Sequence, residues 1–193
     1  MDISTFGPTE LGIIIGLAVI VIAGIAAWLF FRKRHTGRLR TQFGEAEYDR
    51  AVKEVGGRRY AEAELKERTE RVESLNIRPL AAGDRARFVE LWRGVQARFV
   101  DGPGGAVTEA DQLLRDVMST RGYPVTDFEQ RAADISVDHP LVMENYRTAH
   151  AIAIRQTQGR ANTEDLRQAM IHYRTLFEEL VGEREVARAK TAA

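Results

Sequence analysis

The sequence predicts an all-α protein: one N-terminal transmembrane helix followed by a cytoplasmic multi-helix bundle. Three observations predict it. LGIIIGLAVIVIAGIAAWLFF, at 11–31, runs for 21 residues without a charged side chain. RKRHTGRLR, at 32–40, follows at once with five basic residues and no acid. From residue 43 onward apolar residues recur at helical spacing, and no stretch shows the period of two that a half-buried strand needs.

The membrane segment comes first. At 1.5 Å per residue its length is roughly 30 Å, the thickness of a bilayer's hydrocarbon core. Trp28 near its end suits the membrane–water interface. A cleaved signal peptide would carry basic residues ahead of a shorter apolar run and a small-residue cleavage site behind it. Here no Lys or Arg precedes the run, and Trp-Leu-Phe-Phe followed by Arg-Lys-Arg closes it. A retained anchor is expected, with residues 1–10 as a short extracytoplasmic N-terminus and 32–42 as a basic juxtamembrane segment. Lys and Arg beside a span stay on the cytoplasmic side, so the expected orientation is N-out with the remainder inside, at a bacterial inner membrane. Arg32, Lys33, Arg34, Arg38 and Arg40 would then face anionic headgroups, each contributing on the order of 1 kcal/mol. Gly12 and Gly16 form a GxxxG that Ala23 and Ala27 continue, a spacing that lets two membrane helices approach and a homo-oligomer form.

Charge and composition narrow the function. Lys and Arg total 28 and Asp and Glu total 28. Five of the basic residues lie in 32–40 and two acids lie before residue 11, which leaves 23 basic against 26 acidic residues in 41–193. A basic footprint for nucleic acid is absent, and no nucleic-acid partner is expected. Without cysteine there is no disulfide, thiolate nucleophile or Cys-type metal site.

The helices of 43–182 follow in order. Glu45–Val55 is a short helix with Tyr48, Val52 and Val55 on one side, ended by Gly56-Gly57. Arg58–Leu75 is helical, with acid-before-base pairs at i,i+4 in Glu62–Lys66, Glu64–Arg68 and Glu67–Arg71. Its apolar stripe (Leu65, Val72, Leu75) is thin, so Leu65 and Val72 are expected to pack partly on the bundle and partly to serve association. Asp84–Val100 places Phe88, Leu91, Trp92, Val95 and Phe99 on one face, and Asp101-Gly-Pro-Gly-Gly105 ends it. Val107–Thr120 carries Ala110, Leu114, Val117 and Met118, with Gly122 near its C-cap. Pro140–Gln158 buries Val142, Tyr146, Ala149 and Ala153. Thr163–Val181 buries Leu166, Met170, Tyr173, Phe177 and Leu180, capped by Asn162 or Thr163. Residues 183–193 form a charged, Ala-rich tail. Phe88, Trp92, Phe99, Leu114, Tyr146 and Phe177 are the expected core.

GYPVTDFEQRAADISVDHP, at 122–140, is the stretch that most resembles a site. Thr126 with Glu129 reads as a capping box for a short helix Asp127–Asp134. Asp138 and His139 read as the start of the next helix, where an acid is favoured. The stretch is expected to be a connector. An enzyme or small-ligand site would instead draw Asp134, Asp138 and His139 into one pocket lined by Tyr123 and Phe128. No His pair at i,i+4 and no Glu-x-x-His occurs, and Gly102-Pro103-Gly104-Gly105 lacks the spacing and the Lys-Ser/Thr of a phosphate loop. His150 and His172 lie beside apolar stripes, and His35 belongs to the basic run. No catalytic residue, cofactor or metal site is expected.

Four motifs, FGEAEYDRAV (43–52), FVD (99–101), RGYPVTDFEQRAADISVDHP (121–140) and TEDLRQAM (163–170), resemble those of a family of bacterial single-pass membrane proteins with a helical C-terminal domain. The resemblance implies the architecture and transfers no activity, ligand or site residue. The expected function is therefore that of a membrane-anchored adaptor or scaffold whose helical domain binds another protein.

Overall fold

The computed structural model describes residues 39–124 and 127–182, together with Val21, Ala23 and Gly24. The chain divides into two units, Met1–Thr41 and Gln42–Ala193. In the first, Val21, Ala23, Gly24 and residues 39–41 are helical, and Ala23 is exposed. The expected span as a whole, Gly12, Gly16, Ala27, Arg32, Lys33, Arg34 and Arg38 lie outside the described residues, as does the tail. Among the described residues no helix is long and apolar enough to cross a membrane.

In the second unit every described regular element is helical. The order is α1 (42–54), α2 (Arg58–Glu73), α3 (Ala82–Arg98), α4 (Pro103–Arg121), α5 (Phe128–Asp138), a single 3₁₀ turn (Pro140–Val142), α6 (Met143–Thr157) and α7 (Thr163–Val181). Helix α7 packs on α4 and α6, α3 packs on α4, and α2 packs on α5. The main apolar core lies among α3, α4, α6 and α7, with Ala132 and Ile135 of α5 reaching into it. Trp92 stacks on Phe177 with ring centroids 4.7 Å apart. Phe88, Leu114 and Tyr146 are buried as expected, whereas Phe99 is only partly buried and Leu91 is 44% exposed. The buried stripe of α3 is Phe88, Trp92 and Val95, narrower than its spacing allows.

Several boundaries follow from local chemistry. Asn162 and Asp165 form a reciprocal capping box at the start of α7, and Gly182 ends that helix in the left-handed region. Helix α4 begins four residues before the expected Val107, because Pro103 sits at N1, where its missing N–H costs nothing. Gly104, in its first turn, lies so close to Gln156 that a Cβ would collide with that side chain. Gly122 caps α4 at φ 101°, and a Cβ there would run into the Asn76 carbonyl oxygen. The Arg78 N–H donates to the Arg121 carbonyl at 2.8 Å and holds the α2–α3 segment against this cap.

The connector differs in detail from its sequence reading. Thr126 lies outside the described residues; the N-cap of α5 is Asp127, whose side chain accepts from the Gln130 N–H. Helix α5 runs to Asp138, four residues beyond the expected Asp134. Asp138 thus ends a helix instead of starting one, the unfavourable end for an acid, and it is offset by the Tyr123 hydroxyl donating at 2.6 Å. His139 breaks the helix at φ −129°, ψ 52°, as a residue before proline tends to.

Helices α1 and α2 correct the sequence reading most. The buried face of α1 is Phe43, Glu47, Tyr48 and Ala51, while Val55 is exposed. In α2, Ala61, Leu65, Arg68 and Val72 are buried. The chain itself covers Leu65 and Val72, so they offer no surface for association. Of the three local charge pairs only Glu64–Arg68 forms. Glu62 accepts from the Tyr48 hydroxyl, Lys66 pairs with Glu70, and Arg71 turns to Asp134. Glu62 and Arg71 take partners in other helices and Lys66 takes a different i,i+4 neighbour, exchanges that cost little because surface i,i+4 pairs are worth only about 0.3–0.5 kcal/mol.

Candidate functional site

Asp134, Asp138 and His139 do not converge. Asp134, almost fully buried, accepts through Oδ1 from Arg71 Nη2 at 2.8 Å and from Gln130 Nε2 at 2.8 Å. Asp138 is taken by Tyr123, and burial together with this bond raises the Tyr123 pKa well above the ordinary phenol value. His139 sits among three helix ends. Arg121 Nη1 lies 3.2 Å from its Nε2, and Glu179 Oε1 lies 3.3 Å from its Nδ1. Arginine can only donate, so Nε2 accepts and the Nδ1–H donates to Glu179, the neutral tautomer. Burial first and the Arg121 charge second push the His139 pKa down. Phe128 instead stacks on His150 at 3.6 Å between centroids and tilts against Tyr146. His172 bonds Asn145 at 2.8 Å. Among the described residues no three His, Asp or Glu side chains group as metal ligands.

A cleft of about 620 Å³ lies where α1 and α2 face α5 and α6. Its lining includes Arg50, Glu64, Arg68, Arg71, Glu129 and Arg147. Five of its charged side chains, with Glu47 enclosed behind them, form a string of alternating sign. Arg50 reaches Glu129 at 3.9 Å, and Arg147 Nη1 bonds Glu129 at 3.2 Å. Arg147 Nη2 then reaches Glu47 Oε1 at 2.9 Å, Arg68 reaches the same oxygen at 3.0 Å, and Arg68 bonds Glu64. Glu47 and Arg68 are 5% and 7% exposed at the side chain. Within this string three arginines and three glutamates balance one another and join four helices of this chain. A second buried string, Arg131 Nε to Tyr146 at 2.7 Å and Tyr173 to Asp111 at 3.1 Å, crosses the core. Burial moves the Tyr146 pKa up to about 12.

A third feature is outward-facing. Two adjoining hollows of about 180 and 190 Å³ share Gln96 and Arg174 and form one groove between α3 and α7. Trp92, Phe99, Met170 and Phe177 line it from below, Ile171 and Val89 flank it, and Arg93, Arg167 and Arg174 stand along it with Glu178. The apolar periodicity of both helices was legible; that two neighbouring stripes leave a notch was not.

The chain matches no protein-family model, no curated protein and no solved structure. Among the described residues, fold and surface together define an all-helical bundle with an internal ionic clasp and a groove between α3 and α7.

Proposed function

We propose that this protein is a single-pass, membrane-anchored adaptor whose helical domain binds another protein. The apolar run at 11–31 and the basic run at 32–40 support the anchor and an N-out, domain-inside orientation. The observation that carries the binding role is the α3–α7 groove, where Ile171 is exposed and Phe99 and Val89 are only partly covered beside an enclosed floor of Trp92 and Phe177. Such a notch is the shape that receives a helix from a partner. Leu65 and Val72 are enclosed by the chain itself, which supports looking for association at this face and not at α2. Partners are the lipid bilayer and a second protein.

The test has two parts. The protein should stay with membranes through an alkaline carbonate wash, and a C-terminal alkaline phosphatase fusion should be inactive. Chemical crosslinking of the native protein in its membrane should yield a discrete heterologous adduct. Release by carbonate would sink the anchor, an active fusion the orientation, and the absence of any adduct the adaptor role.

A further inference from the structure

The α3–α7 groove exists because both helices pack on α4 and close poorly on each other. From Val89 to Phe99 it follows α3 for about 15 Å, between two and three helical turns. Its floor is rigid, since Trp92 and Phe177 are stacked and nearly enclosed. Its sides are less committed: Ile171 is 44% exposed, and Phe99 and Val89 are only partly covered.

The charged residues that line the groove are mostly basic. Arg93, Arg167 and Arg174 line it against a single acid, Glu178. Each arginine is paired within its own helix, Arg93 with Glu90, Arg167 with Glu164 and Arg174 with Glu178. Glu90 and Glu164 are not among the groove's lining residues. All three arginine side chains are more than half exposed. Exposed pairs of this kind contribute little, so a guanidinium can exchange its local carboxylate for one on a partner at small cost. The clasp arginines differ: Arg68 and Arg147 are buried in bonds that hold the fold.

We propose that the groove docks an amphipathic helix of a partner protein whose apolar ridge is flanked by Asp and Glu. The ridge would lie over Trp92, Phe99, Ile171 and Phe177, and the acids would meet Arg93, Arg167 and Arg174. This deepens the adaptor reading and rests on it.

The test uses the full chain in phosphatidylcholine nanodiscs. The probe is a fluorescent synthetic helix roughly four turns long, with leucines at i, i+3 and i+7 and glutamates on both flanks; a second carries lysines instead. Anisotropy should show the glutamate peptide binding about tenfold more tightly or better, and an Arg167→Glu/Arg174→Glu variant should invert that preference. Gln96→Glu, at an exposed position in the groove, should weaken the glutamate peptide without lowering the melting temperature. Equal affinity for both peptides, or indifference to the charge reversal, would overturn the proposal. In native membranes a photocrosslinker at position 96 should capture a different protein, and the charge reversal should abolish that adduct. An adduct with a second copy of this chain would assign the groove to self-association and overturn it. If the chemical crosslink to a partner survives the charge reversal, the groove fails while the adaptor stands. If unsubstituted protein gives no partner crosslink, the adaptor reading itself fails.

Discussion

The α3–α4–α6–α7 bundle and the α1–α2 side of the domain are joined by different chemistry. In the bundle, Phe88, Trp92, Leu114, Met118, Leu176 and Phe177 form a mainly apolar core, crossed by the Arg131–Tyr146 and Tyr173–Asp111 bonds. On the other side the buried apolar residues Phe43, Tyr48, Ala51, Ala61, Leu65 and Val72 lie outside that core, and Glu47, Arg68, Arg147 and Asp134 are enclosed beside them. Apolar burial is non-directional and tolerates approximation. A buried ion network gains little net stability over apolar packing, yet it loses heavily when one member is removed. The bundle is therefore where stability resides, and the clasp is where one particular arrangement of α1 and α2 is selected. A surface for partners can form on the bundle because its apolar residues need no specific mate; on the clasp side the charges are already matched.

The largest expected effect tests the bundle. Trp92→Ala removes the ring stacked on Phe177 and leaves a cavity, and it should cost roughly 3–5 kcal/mol. Thermal or denaturant unfolding would show it as one cooperative loss. A change below about 0.5 kcal/mol, the size of an ordinary surface substitution's effect, would show that the bundle is not the source of stability.

Next comes the clasp. Glu47→Gln keeps the shape of the side chain but leaves Arg68 and Arg147 facing each other's charge without their shared carboxylate. Breaking one member of a buried pair costs about 3 kcal/mol or somewhat more. Here the location of the loss matters more than its size. Amide hydrogen exchange should accelerate in α1 and α2 before α4 and α7 respond. Uniform acceleration would mean that the two regions unfold as one and that the distinction is only chemical.

Gly122→Ala probes the joint between the α2–α3 segment and α4. At φ 101° any side chain is strained, and the Asn76 carbonyl blocks a Cβ as well. A cost of about 1–3 kcal/mol is expected from the backbone strain, measured by the shift in denaturant midpoint. A neutral substitution would show that the segment can move aside freely.

How much of this was legible in the sequence depends on the distance between partners. Helix α7 could be bounded at both ends because Asn162, Asp165 and Gly182 signal locally. Much of the bundle core could be named from the 3.6-residue period, and Leu91 was misplaced because the period does not say how wide a stripe the neighbours cover. The clasp left no trace: Glu47 meets Arg68 across 21 positions and Arg147 across 100, and Arg71 meets Asp134 across 63. The local pairs Glu62–Lys66 and Glu67–Arg71 looked complete on paper, which hid that Arg71 was needed elsewhere. In the connector, Asp138 and His139 stood out by composition, and their partners came from two other places, Arg121 and Tyr123 at the end of α4 and Glu179 in α7.

The smallest effect is a pH dependence, and it separates a buried histidine from the carboxylates of the clasp. His139 is neutral in the folded protein, its Nδ1–H given to Glu179 and its Nε2 facing Arg121. Its pKa is lowered from 6.5, by burial first and by Arg121 second, against the raising influence of Glu179 and Asp138. The unfolded chain therefore takes up a proton first as the pH falls. Stability rises with pH wherever the unfolded state binds more protons, so the contribution of this neutral pairing is fully present above about pH 6.5. It declines as the pH falls from there toward the lowered folded value, below which it levels off. His150, also lowered by burial, adds in the same direction. The melting temperature should fall between neutral and mildly acidic pH, and His139→Asn should reduce that fall while leaving part of it to His150. A decline that is unchanged in the His139→Asn variant would show that the acid sensitivity does not come from this pairing.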